Sequence, residues 1–362
     1  MTDLLYSEVE DALRASVRDL LADRAPLPAV LKRTETDEPY DPALWQALAS
    51  DLGVAGLAVP EDRGGQGASW REVAVVAEEL GASVAATPFL GNTMATAAAR
   101  VVRASNLVPP LVSGELTATL VAPLAADPGR WVADVQVRDG TIRGRVPNVI
   151  DAVSADVLLF PTEAGLLQVD AAEATRIPVP SLDMTRPLCD VTFDDAGTTV
   201  LADADGCARA MAAAALVGGA LLGAEQLGLA RRCLELTVDY VQARFQFGRA
   251  IGSFQALKHR VADLWVAISQ AQAVARYAAG CVADHDPDAP VAAALALAYC
   301  GPVAVHAAEE CLQLHGGIGF TWEHPAHLYL KRAKADAILL GTAAAHRARL
   351  AELVDLPAAE RA

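Results

Sequence analysis

A double change of hydrophobic period constrains this chain more than any other feature. Up to about residue 113 the apolar residues recur at helical spacing, as in Leu4 to Ala22 and Trp70 to Leu80. Between about 114 and 204 they gather into short runs rich in Val, Thr, Leu and Ile: TATLVAP, WVADVQV, GTIRGRV, ADVLLF, GLLQV and CDVTF. Gly, Pro and Asp-Gly signals separate these runs, which is the pattern of an antiparallel β-sandwich or barrel. From about 205 the helical period returns and lasts to about Val354, opening with one helix from Cys207 to Phe245. The expected fold is therefore α+β and multidomain: a helical domain over 1–113, a β domain over 114–204 and a four-helix bundle over 205–362. A bundle without a sheet can hold a flat cofactor only by pressing it against something else, and the β domain is the natural lid.

Local signals punctuate the helices. Asp41-Pro42 sets an N-cap acid before a proline at the first helical position. VPEDRGGQG at 59–67 reads as a Gly-rich loop, and lacks the Gly-Lys-Ser/Thr ending of a phosphate loop. Two apolar runs test a membrane reading. Ala210 to Ala224 is too short to span, and Ala289 to Ala308 is mostly Ala and Val, with a Gly301-Pro302 break and His306. Both read as helices buried in a bundle, so no membrane partner is expected.

The net charge of −16 argues against a nucleic-acid partner, which requires a basic footprint. The six cysteines (189, 207, 233, 281, 300, 311) are scattered without a CxxC pair, as buried free thiols of a reducing compartment would be. The N-terminal MTDLLYSEVEDALR is acidic and amphipathic, unlike a secretory signal. The expected location is cytoplasmic, and no metal site is expected.

Two segments carry chemistry. RFQFGRAIGSFQ at 244–255 and QLHGGIGFTWEHP at 313–325 bring a planar cation, Arg244, an amide, Gln313, and glycines 316, 317 and 319 that let backbone approach a ligand. With the helix–sheet–helix order, LWQALASDLGVAGLAVPEDRGGQG, EELG at 78–81, SLDMTRPLCDVTFD at 181–194 and AILLGT at 337–342, the chain resembles the acyl-CoA dehydrogenase family over nearly its whole length. That resemblance implies an FAD-dependent α,β-dehydrogenation of an acyl-CoA thioester. It implies that Arg244 pairs with the FAD pyrophosphate, that Phe247 and Gln255 shape the cleft, and that Gln313, Gly316 and Gly317 meet the adenosine-phosphate portion. In the family these contacts reach the FAD of a neighbouring subunit. His315, beside the glycines, reads as a packing or capping residue.

The catalytic machinery departs from the family. The glutamate expected before Gly341-Thr342 is Leu340, and the alternative base position early in the long helix falls at about Gly218. Neither can accept a proton. VAPLAADPG (121–129) and RVPNV (145–149) stand where the family carries its flavin-contacting stretches. This combination is similar to the base-lacking subunit of heterotetrameric α2β2 bacterial acyl-CoA dehydrogenases of steroid and related catabolism, as is AHLYLKRAKADAILLGTAAAHR at 326–347. Such a subunit implies a homologous, glutamate-bearing partner (alternatively a homotetramer), an acyl-CoA at a shared site and an electron-transferring flavoprotein. Two other readings stay open: a self-sufficient enzyme whose base is displaced to Glu225, Glu309, Glu310, Glu323 or Asp336, and a flavin-free assembly subunit.

Overall fold

The computed structural model describes residues 3–36, 38, 40–123 and 135–356. Six helices come first: α1 (Glu8–Arg24), α2 (Leu27–Arg33), α3 (Pro42–Gln46), α4 (Trp70–Ser83), α5 (Phe89–Val101) and α6 (Val108–Val112). Their starts are set locally. Ser7 and Glu10 form a reciprocal capping box on α1, Ser69 and Glu72 do so on α4, and the Asp41 carboxylate accepts from the Ala43 and Leu44 amides on α3. Glu10 also ion-pairs at 2.6 Å with Arg276, whose guanidinium lies over the Tyr6 ring, so the N-terminal helix is tied to the bundle.

Among the described residues eight strands follow: β1 (Ala118–Leu120), β2 (Val135–Arg138), β3 (Thr141–Ile150), β4 (Val157–Thr162), β5 (Gly165–Asp170), β6 (Ala174–Val179), β7 (Leu188–Gly197) and β8 (Thr199–Asp203). They form two four-stranded sheets, ordered β1-β4-β5-β8 and β2-β3-β7-β6. Alternating inward residues build the shared core, among them Ile142, Val146, Leu158, Phe160, Val191 and Phe193, with Phe160 and Phe193 edge to face at 5.4 Å. The pairing is antiparallel except for β1 on β4, which is parallel. No hairpin joins those two strands, so β1 is free to enter from the helical side in the same direction.

The third part holds α7 (Ala204–Ala243), a hairpin of β9 (Phe245–Gln246) and β10 (Arg249–Ala250), then α8 (Gln255–Ala283), α9 (Ala289–Leu314), α10 (Ala326–Asp336) and α11 (Ala343–Leu353). Helix α7 packs on α4 at backbone distance, and glycine is what permits this. A Cβ on Gly228 would stand 1.8 Å from the Glu78 carbonyl, and one on Gly81 2.1 Å from that of Glu225. The expected break at Gly301-Pro302 does not occur, because α9 runs through Pro302. The lost hydrogen bond is tolerated in a helix packed along its length on α7 and α8. Helices α7 and α9 are long and apolar enough to cross a membrane, and most of their apolar residues are buried against neighbours. All six cysteines are buried, and none forms a disulfide among the described residues.

Candidate functional site

Two places carry the chemistry, and the first lies where α5, α7 and the segment after α10 meet. Gly218 and Leu340, 122 positions apart in the sequence, face each other. A Cβ on Gly218 would sit 3.1 Å from Leu340 Cδ1, 2.8 Å from Met94 Sδ and 3.0 Å from Met94 Cε. The two positions at which a base was sought are therefore one place, filled by a leucine and a methionine that are both buried. Met94 was not singled out by sequence; only its helical register on α5 could have pointed to it. Leu340 holds a positive φ of +60°, followed by Gly341 at +108°. A leucine in the left-handed region costs roughly 1–2 kcal/mol. His346 Nε2, 3.0 Å from the Leu340 carbonyl, and the Thr342 cap on α11 hold that turn.

None of the five carboxylates named as displaced bases is built as one. Glu225 is buried, accepting from Arg186 and from Arg332 Nη1 at 2.7 Å. Burial alone would raise its pKa, but the two guanidiniums outweigh it and hold the carboxyl below its usual range. Asp336 is buried with neither oxygen hydrogen-bonded. Burial, with the Glu225 charge adding to it, pushes its pKa up to about 8. Glu309 pairs with Lys334, Glu310 with Arg260, and Glu323 is exposed. Glu225 and Asp336 instead belong to an ion cluster in which Arg332 also binds Asp183 and Thr185. That cluster fastens the loop before β7 to α7 and α10. The signal was present in SLDMTRPLCDVTFD, but a sequence does not say that its Asp and Arg are buried.

In the RVPNV stretch, Val146 and Val149 point into the β core on either side of a register shift, and the Asn148 amide donates to Asp190. Of VAPLAADPG, residues 124–129 lie outside the described residues.

The second place is one end of the bundle. Arg244 caps α7, its amide donating to the Tyr240 carbonyl at 2.9 Å, and its side chain is exposed. The hairpin that follows turns through Phe247 (φ +52°) and Gly248 (φ +78°), a two-residue turn with both φ positive. This lifts Phe247 to 91% exposure. Gln255 is exposed at the first position of α8. At the end of α9, Gln313, Gly316 and Gly317 are exposed; Gly316 has φ +61°, and a Cβ on either glycine would meet open space. The His315 ring stacks on Tyr240 at 4.4 Å, which brings the ends of α7 and α9 together, and meets His324 at a tilt, also at 4.4 Å. His315 is buried, with Nδ1 2.6 Å from the Cys311 carbonyl, a packing position. Phe245, Ile318, Phe320 and Trp322, on the same two segments, are exposed too.

Residues 7–115 match the N-terminal domain of acyl-CoA dehydrogenases and 204–354 the C-terminal domain. The chain is 38% identical to acyl-CoA dehydrogenase IpdE2 of Mycolicibacterium smegmatis over 92% of its own length and 95% of the relative's. It is 37% identical to IpdE2 of Mycobacterium tuberculosis, over 92% and 93%. The ChsE4-ChsE5 complex of Mycobacterium tuberculosis contains a chain of the same fold, with a TM-score of 0.85 at 24% identity, covering 99% of this chain and 100% of that one. The Tcur3481-Tcur3483 steroid acyl-CoA dehydrogenase G363A variant superposes with a TM-score of 0.85 at 27% identity, over 96% and 98%. The chain thus belongs to the acyl-CoA dehydrogenase family, oxidoreductases that act on acyl-CoA thioesters.

Proposed function

We propose that this chain is the non-catalytic subunit of a heteromeric acyl-CoA dehydrogenase, supplying contacts to an FAD whose ring site and base belong to a homologous partner. One observation carries the reading: both base positions coincide at Gly218 and Leu340, and Met94 fills the space between them. An α proton cannot be accepted there.

The exposed end of the bundle fits the cofactor's phosphates. Arg244 has no ion-pair partner among the described residues, and a guanidinium suits a pyrophosphate. Gly316 and Gly317 leave their backbone open to a ligand. FAD, when bound, supplies the hydride acceptor. This chain's own residues hold and orient it: Arg244 at the pyrophosphate, Gln313, Gly316 and Gly317 at the adenosine side, Phe247 and Gln255 along the cleft. The exposed aromatic residues beside them favour coverage by another subunit, since monomers rarely leave large apolar patches open. The ChsE4-ChsE5 and Tcur3481-Tcur3483 relatives, each named as a pair of proteins, support a heteromeric partner, and the second supports a steroid acyl-CoA as substrate class. An electron-transferring flavoprotein would reoxidise the complex in the cytoplasm.

The test is to replace the partner's glutamate by glutamine in the co-purified complex. Activity should fall by about 10²–10⁴, the contribution of one positioned base. Retained activity would mean that this chain carries a base of its own.

A further inference from the structure

A cleft of about 390 Å³ lies at the seam between the first helical domain and the bundle, walled by α1 and α4 on one side and by α7 and α10 on the other. Its volume is in the range of roughly 300–1,000 Å³ typical of small-molecule sites. It shares no lining residue with the two places described above. Along α7, about 15 Å of helix separates its Gly228 from Gly218, and about 13 Å separates its Glu235 from Arg244. One wall is apolar, built by Leu21, Ala22, Ala25 and Leu27 where α1 gives way to α2.

The rest of the lining is charged, with four guanidiniums against three carboxylates. That local excess of cations runs against a chain in which acidic residues outnumber basic ones by 45 to 29. Two of the carboxylates are buried and fully engaged. Glu78 accepts from the Tyr6 hydroxyl and from Arg231, and pairs with Arg14 at 2.9 Å. Glu79 accepts from Arg14 and from two nitrogens of Arg18. The third, Glu235, is exposed and pairs with Arg232 one turn away. The cations at the mouth are less fully spent. Arg231 uses Nη1 alone, Arg18 leaves its Nη1 over, and Arg232 gives Nη1 to Glu235 and meets the Tyr329 hydroxyl. A guanidinium has five N–H donors, so all three keep some for a ligand.

We propose that this cleft binds a small phosphomonoester, its phosphate on Arg18, Arg231 and Arg232 and its apolar body along the Leu21–Ala22 wall. A phosphate is specified because the three forks approach from two different elements, α1 and α7. A carboxylate has two oxygens and one charge, whereas a phosphomonoester brings three free oxygens and up to two charges, enough to meet all three. The bound phosphate fastens α1 to α7, beside the tie that Glu10 and Arg276 already make between α1 and the bundle. The site does not depend on where the flavin is held.

Phenyl phosphate is the probe, titrated calorimetrically into the purified chain, with phenol as the uncharged control and inorganic phosphate as the arm that lacks an apolar body. Phenyl phosphate should bind, and each of the other two at least tenfold more weakly. Arg232→Gln should weaken phenyl phosphate by about 10–150-fold, the value of a charge-assisted bond. Because Arg232 ion-pairs with an exposed glutamate, its loss should leave the thermal melt of the ligand-free chain unchanged. Ala22 is exposed on α1, and Ala22→Trp should fill the cleft and remove the binding. If Arg232→Gln does not fold, Ala22→Trp still decides. Absence of binding, equal binding of phenol or of inorganic phosphate, or phenyl phosphate binding indifferent to either variant would each overturn the proposal.

Discussion

Replacing Arg244 by alanine separates a cofactor contact from a structural residue. The side chain is exposed at the end of α7 and forms no ion pair among the described residues, and only its backbone amide takes part in the helix cap. Losing the guanidinium should therefore change stability by no more than about 0.5 kcal/mol. A guanidinium on a phosphate, by contrast, contributes about 1.5–3 kcal/mol. The Kd for FAD should then rise about 10–150-fold in the complex with the partner. Lysine should restore only part of this, because it offers a point charge in place of a fork. The assay is a flavin fluorescence titration of the deflavinated complex, beside a thermal melt of the FAD-free form. An unchanged Kd would refute the trans-contact reasoning. A large fall in Tm of the FAD-free form would show that Arg244 serves the fold instead.

Gly218→Ala should destabilise the chain by about 1–3 kcal/mol through overpacking against Met94 and Leu340, read by urea denaturation; a neutral result would mean the contact relaxes freely. Arg332→Leu leaves Glu225 and Asp183 buried without their shared cation and should cost about 3–5 kcal/mol in the same assay. Asp336 makes stability depend on pH. Its folded pKa, about 8, exceeds the roughly 3.9 of an unfolded aspartate, so its contribution is complete below about pH 4 and is lost as pH rises through about 8. Asp336→Asn should remove that dependence, and the stability of the natural chain relative to the variant should decline steadily across this window. A difference that stays flat would contradict the burial argument.

The helical architecture was legible because its determinants are local. The forty-residue α7 follows from an unbroken apolar period, and α3 from Asp41-Pro42. The parallel pairing of β1 with β4 was not legible: it joins Ala118 to Val157, strands that are far apart in the sequence and share no hairpin. Pro302 misled because a proline reads as a helix stop in isolation, whereas α9 is held by packing on its neighbours. At the site, the missing bases could be read at Leu340 and Gly218 separately. Their meeting could not, since it depends on Met94 and on a left-handed leucine backbone. The Asp183–Arg332–Glu225 cluster stayed hidden for the same reason: burial of a charge is a tertiary fact.

Where the flavin resides decides whether this chain is the non-catalytic subunit. Counting FAD spectrophotometrically in the chain purified alone, and in the chain co-purified with the proposed glutamate-bearing partner, tests that directly. Little FAD and no turnover alone, with about one FAD for each pair of unlike chains and full turnover together, is the predicted result. An FAD-replete, active assembly of this chain by itself would contradict it.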